Sequence, residues 1–225
     1  MAAFFTCPEC KDKQRELDQQ RAEKQRLERV TTGREESVEG WWPPQRFIES
    51  SLATFRAGDQ PKAYAQVKAF LAKPEKGLLL HGSFGTGKTH LAAAVFHHFY
   101  DLWEPTTARY PQARFLREND LFARLRASFR DGAVETEEKI IADYTETANI
   151  LIIDDVCKYQ PADKSFRNRI YYELFDRLWT NEAVVVLTAN CGPLELGEEL
   201  GGPTADRIRD MCVVVELKGV SQRGK

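Results

Sequence analysis

The sequence predicts an α/β fold with a mainly parallel sheet covered by helices on both faces, and three observations carry that prediction. Short apolar runs recur at 78–80, 113–116, 150–153, 184–187 and 212–215, each short enough for a buried strand. Segments of helical periodicity lie between them, with apolar residues returning every three or four positions. A glycine-rich stretch, Gly82 to Gly87, directly follows the first run and opens into one of those helical segments.

Ahead of the sheet, Lys11 to Val30 is almost all charged or amide and built of strong helix formers, with only Leu17, Ala22, Leu27 and Val30 apolar. That composition predicts a solvated or partner-binding helix. Thr31 to Trp41, with Gly33, Gly40 and three glutamates, reads as a linker, and Pro43-Pro44 stops any helix from continuing. Residues 1–40 are therefore expected to form an N-terminal partner-binding segment and linker, and residues 41–225 the main domain. Trp41 and Trp42 either anchor a partner or pin the linker to that domain. Within it, Leu91, Val95 and Phe99 predict one buried helix face, Leu121, Phe122, Leu125 and Phe129 a second, and Ile170, Tyr171, Leu174, Phe175 and Leu178 a third.

Bulk properties bound the function. A net charge of -2 and a pI near 6.1 argue against a protein that coats duplex DNA through bulk electrostatics, so any nucleic-acid contact is expected to be local. No apolar run approaches the roughly 18 residues of a membrane span, and the N-terminus lacks the apolar core of a signal peptide. An odd set of cysteines, Cys7, Cys10, Cys157, Cys191 and Cys212, suits a reducing compartment better than a disulfide framework. A cytoplasmic location is expected, with no membrane partner. Cys7-Pro8-Glu9-Cys10 is half of a zinc site. Structural zinc takes four ligands and no Cys or His follows until His81, so two reduced cysteines compete with a zinc shared between chains.

The chemistry lies in the glycine-rich stretch. Gly82-Ser83-Phe84-Gly85-Thr86-Gly87-Lys88-Thr89 fits G-x-x-x-x-G-K-[ST] between a predicted strand and a predicted helix. Glycines let successive backbone N–H groups converge on phosphate oxygens, and the helix adds its positive N-terminal end. Ser83 to His90 are thus the candidate ATP-binding residues. Lys88 would reach the β- and γ-phosphates and the Thr89 hydroxyl would ligate Mg²⁺. The run Ile150 to Ile153 ends in Asp154 and Asp155; the first would hold Mg²⁺, and the second would orient or deprotonate the attacking water. A further predicted strand, Ala113 to Leu116, lies between the loop and the acidic pair, the arrangement of the additional-strand P-loop NTPases. In those proteins a polar residue on the next strand senses the γ-phosphate, and Asn190 occupies that place.

At this point the chain resembles the AAA+ helicase loaders of the bacterial and phage DnaC/DnaI type, with the transposition helper IstB as a close relative. The likeness covers about residues 43 to 223 and rests on Arg46-Phe47 with Leu52 and Phe55, GLLLHGSFGTGKTHLAAAV, NDLFARLRASFRDG, LIIDDV, VVVLTAN and TADRIRDMCVVVELKG. It implies a five-stranded, mainly parallel AAA+ three-layer sandwich without a C-terminal lid. ATP would lie against the segment from Arg46 to Phe55. Arg207 aligns with the arginine such proteins offer in trans to a neighbour's ATP, and Arg209 is its rival, so self-association into a ring or spiral belongs to the mechanism.

The resemblance also implies a hexameric replicative helicase gripped by the N-terminal segment and contact with single-stranded DNA. Six arginines from Arg109 to Arg130 interleave with Phe115, Phe122 and Phe129; Arg126, Arg130 and Phe129 are the preferred DNA contacts, set against core phenylalanines with a solvated arginine face. Two positions depart from the family pattern: Cys157 stands where a glycine is usual, and Ala189 where a serine is usual. The alternatives to helicase loading are an IstB-like helper of transposition and a nucleotide-switched adaptor with little turnover.

Overall fold

The computed structural model describes Leu17, Arg21, Lys24, residues 42–102, 113–146, 149–161 and 164–219, and Ser221. The chain divides into two units, Met1–Glu39 and Gly40–Lys225. Of the first, Leu17, Arg21 and Lys24 are helical and exposed. Cys7, Cys10 and Arg109 lie outside the described residues.

In the second unit two 3₁₀ turns, Gln45–Phe47 and Ala57–Asp59, lead into α1 (Pro61–Ala72), whose first residue is a proline that has no N–H to leave unpaired. There follow β1 (Gly77–Gly82), α2 (Lys88–Asp101), β2 (Ala113–Arg117), α3 (Glu118–Ser128), α4 (Glu137–Glu146) and β3 (Ile150–Val156). The chain continues through α5 (Lys164–Thr180), β4 (Val184–Ala189), α6 (Pro193–Leu200), α7 (Gly202–Met211) and β5 (Cys212–Leu217).

The five strands form one parallel sheet in the order β2-β3-β4-β1-β5. Side chains alternate across a strand, so each strand feeds two cores. Leu78 and Leu80 of β1, Phe115 of β2 and Ile150 and Ile152 of β3 join α1 and α2 on one face. Leu79, Leu116, Leu151 and Ile153 join α3, α4 and α5 on the other. Both faces of the inner strands are covered, which is why these strands read as continuous apolar runs rather than as alternating ones, while the edge strand β5 leaves Val213 and Val214 exposed. Trp42 packs on α2, its ring 5.0 Å from Phe96 and 4.5 Å from Tyr100, and so fastens the start of this unit to the phosphate-loop helix.

The buried face expected on α3 holds for Leu121, Phe122 and Leu125 but not for Phe129. The helix ends at Ser128, and Phe129 falls beyond its last turn with 59% of its surface exposed. Among the described residues no helix is long and apolar enough to cross a membrane.

Candidate nucleotide site

Because β1 lies between β4 and β5 and next-but-one to β3, its C-terminal end opens toward the ends of the strands that carry polar residues. The loop from Gly82 to Gly87 fills that end. Gly85 has φ +78° and Gly87 φ +102°, left-handed conformations in which a side chain is strained. Space also forbids one: a Cβ on Gly87 would come within 2.7 Å of the Phe55 ring. Inside the loop the Thr86 hydroxyl donates to Ser83 O at 2.9 Å. Lys88, only 4% exposed, donates from Nζ to Gly82 O at 2.7 Å and Ser83 O at 2.8 Å. Its ammonium is thus folded over the hollow of the loop on two carbonyls.

β3 supplies the acids, through a feature the sequence does not display. Successive residues of a regular strand point to opposite faces, yet Asp154 and Asp155 both serve this end of the sheet. The register between β3 and β4 shifts between Ile153 and Val156, and Asp155 adopts φ +62°. This irregularity re-aims the pair, as bulges beside active sites do. Asp154, 3% exposed, accepts from the Thr89 hydroxyl at 2.9 Å and the Thr188 hydroxyl at 2.6 Å, both on Oδ1. Burial pushes its carboxyl above the usual range, against the pull of the Thr188 hydrogen bond. Asp155 pairs with Lys158 Nζ at 2.5 Å, and its own N–H donates to Thr188 Oγ1 at 2.8 Å.

Thr188 therefore joins both acids, and it was not singled out in the sequence. A hydroxyl residue in an otherwise apolar strand, two positions before Asn190, was the available signal. Glu118 was missed as well. Wholly buried at the start of α3, it accepts from the N–H of Cys157 at 3.0 Å, the N–H of Tyr159 and the hydroxyl of Tyr171 at 2.8 Å. It holds the segment leaving the acidic pair; burial raises its carboxyl despite those donors.

Phe84 and Lys158 meet Asn190 in an open cleft of about 380 Å³, whose wall also contains Cys157, Cys191 and Glu195. A second pocket, about 200 Å³, lies on the other side of the loop against Thr54, Phe55, Gln60, Thr86 and His90. The His90 ring nitrogen Nε2 lies 3.1 Å from Ser51 O and 3.2 Å from Thr54 Oγ1. A carbonyl only accepts, so Nε2 carries the proton toward Ser51. Burial lowers the His90 pKa, which keeps the ring neutral. Gln60 ties this pocket to the end of β5 through both Lys218 O and Lys218 N, the latter at 3.1 Å.

The expected arginines separate. Arg207 is bound within its own chain, with an ion pair to Asp176 and its guanidinium 4.6 Å from the Tyr172 ring centre. Among the described residues Arg209 pairs with its helix neighbour Asp206, at 2.7 Å, and is 73% exposed. The row of interleaved arginines and phenylalanines is not one surface. Phe115 and Phe122 are fully buried, Arg114 is 1% exposed and reaches Asp143, and Arg124 bridges Glu135 and Asp143. Arg126, Phe129 and Arg130 do face outward, Arg126 lying over the Tyr159 ring at 5.1 Å and Phe129 edge-on to Phe166 at 5.7 Å.

The residues fit a magnesium nucleotide: a loop with no room for a Cβ at Gly85 and Gly87, a lysine over its hollow, and a hydroxyl and a carboxylate 2.9 Å apart at its rim. Fold and site together define a P-loop ATP-binding domain with the α/β sheet of the AAA+ fold. Residues 42–225 match the family described as IstB-like ATP binding protein, and the chain belongs to that family. Among solved structures it is similar to the DnaC helicase loader (TM-score 0.64, 22% identity, covering 78% of this chain and 100% of that one). It is similar also to DnaI (TM-score 0.62, 24% identity, 80% and 94%). Among curated proteins it is 25% identical over 119 residues to the chromosomal replication initiator protein DnaA of Bacteroides fragilis, which is 53% of this chain and 23% of that protein. The chain thus spans about a quarter of the length of the curated relatives it matches.

Proposed function

We propose that the protein is an ATP-driven loader that grips a hexameric replicative helicase through residues 1–40 and helps place it on single-stranded DNA. The observation that carries the ATPase half is the joining of loop, acids and strand end: Thr89, Asp154, Thr188 and Asp155 form one continuous hydrogen-bonded chain. Lys88 exchanges its two loop carbonyls for the β- and γ-phosphates of ATP, which costs little because those carbonyls only stand in for phosphate oxygens. Thr89 and Asp154 would hold Mg²⁺, whose charge would offset that developing on the phosphates. Asp155, released from Lys158, orients and accepts a proton from the attacking water, while Asn190 donates to the γ-phosphate. The pocket at Phe55, Gln60 and His90 takes the adenosine.

A trans-acting arginine completes the site only on assembly. Arg207 is the assigned finger, and its release from Asp176 accompanies docking of a neighbour. Arg207→Ala should leave ATP binding intact and suppress hydrolysis in the assembled state; loss in Arg209→Ala alone would transfer the role. The helicase-loader half draws support from the likeness to the DnaC and DnaI structures, and the outward Arg126, Phe129 and Arg130 supply phosphate and base contacts. Its test is light scattering behind size exclusion with the cognate replicative helicase, with and without ATP and with residues 1–40 deleted. A discrete complex that needs those residues is expected.

The family match favours a second reading, an ATP-dependent helper of transposition. ATP-driven assembly on duplex DNA, unaffected by deletion of residues 1–40 and without a helicase complex, would establish it instead.

A further inference from the structure

Cys157 and Cys191 come together at the phosphate end of the cleft. β3 and β4 are parallel neighbours with Val156 opposite Ala189; Cys157 lies one residue past that pair and Cys191 two past it, and both pack against the same core cluster. Neighbouring strands run about 4.8 Å apart, within the Cα separation of roughly 4.4–6.8 Å that a disulfide spans. Both thiols are free, half-buried and in the wall of one open cleft. Cys157 also adopts φ +65°, a left-handed conformation uncommon for a residue with a Cβ, and the Glu118 carboxylate holds it there through the Cys157 N–H. The third described cysteine, Cys212, is 6% exposed within the sheet.

We propose that Cys157 and Cys191 are an oxidisable thiol pair that closes reversibly to a disulfide across the mouth of the nucleotide cleft. The Cys157 thiol beside it lowers the pKa of Cys191, which makes Cys191 the attacking sulfur. With hydrogen peroxide as oxidant, the Cys191 thiolate attacks one peroxide oxygen, the O–O bond breaks and hydroxide leaves, giving a sulfenic acid. The Cys157 sulfur then displaces the sulfenic hydroxyl, its proton leaves with that oxygen as water, and the S–S bond forms. A second thiol pair, such as that of a small dithiol, reverses the step by exchange. The functional consequence rests on the ATPase reading. Cys191 adjoins Asn190 and Cys157 lies two residues past Asp155, so the bond draws the water-orienting and γ-phosphate-sensing positions out of alignment.

The test treats the reduced full chain with equimolar hydrogen peroxide, alkylates the remaining thiols and maps peptides without reduction. The expected product links the Cys157 and Cys191 peptides, vanishes with dithiothreitol and is missing in Cys191→Ser and Cys157→Gly. The glycine variant suits φ +65° and so keeps the fold. Separate alkylation of both thiols, or a disulfide confined to Cys7 and Cys10, overturns the pair. In the linked protein ATP turnover should fall about a hundredfold, the scale of a misplaced reacting group, and recover on reduction. Unchanged turnover in fully linked protein overturns the regulatory consequence. Absence of ATP binding in the reduced chain instead removes the ATPase reading and leaves the disulfide standing.

Discussion

The phosphate-loop motif and the arginine-bearing stretch from β2 through α3 are both dense in functional residue types, yet only the first is held in the single arrangement its spacing predicts. In the loop, the groups that do the work are backbone N–H groups and residues held a fixed number of positions from them. Gly85, Gly87, Lys88 and Thr89 therefore arrive together wherever a strand precedes and a helix follows. In the arginine stretch the work falls to long side chains whose direction depends on neighbours far away in sequence. Arg114 and Arg126 look alike as text, but the first is buried on Asp143 of α4 and the second is exposed beside Tyr159. Local geometry makes a motif legible, and tertiary contacts decide what a charged side chain is for.

The sharpest way to break this contrast is Asp155→Asn. Hydrolysis should fall by about 10²–10⁴ while ATP remains bound, read by single-turnover assay and equilibrium binding. Full activity in this variant would favour the nucleotide-switched adaptor. Lys88→Ala should weaken ATP binding at least about a hundredfold, because charge-assisted bonds of roughly 1.5–3 kcal/mol each are lost. A normal dissociation constant would remove the loop from the account.

On the arginine side, Arg114→Ala should lower stability by about 3 kcal/mol in urea unfolding, since it leaves Asp143 short of a buried partner, and should leave DNA binding at parity once folded. Thr188→Val tests whether a strand residue behaves like part of the loop. It removes the hydroxyl that serves Asp154 and the Asp155 N–H, so a stability loss of about 1–3 kcal/mol and impaired hydrolysis are expected together. The smallest effect belongs to Arg126→Ala combined with Arg130→Ala. Stability should stay within about 0.5 kcal/mol, whereas the salt dependence of single-strand binding should shrink by about 1.4 in log-log slope, roughly 0.7 for each phosphate contact. An unchanged slope would leave both arginines as a solvated face.

The expected runs became five parallel strands because a strand covered on both faces must be apolar throughout, a property written in consecutive residues. Phe129 misses its expected face because α3 ends one residue before it, at Ser128, and leaves Phe129 as an exposed C-cap. Thr188 and Glu118 were passed over because a single polar residue in an apolar context has the same spelling whether it caps, packs or organises a site.

The sequence by itself determined the alternating α/β order, the loop from Gly82 to Thr89 and the strand that ends in Asp154 and Asp155, because each depends on chemistry confined to neighbouring residues. Only the tertiary structure decided that a register shift falls at the two acids and that Thr188 ties them together. It alone also decided that Glu118 braces Cys157, and that Arg207 is held by Asp176 while Arg209 is exposed. The contacts of Thr188, Glu118 and Arg207 join residues 31 to 39 positions apart, and packing rather than spacing fixes their distances.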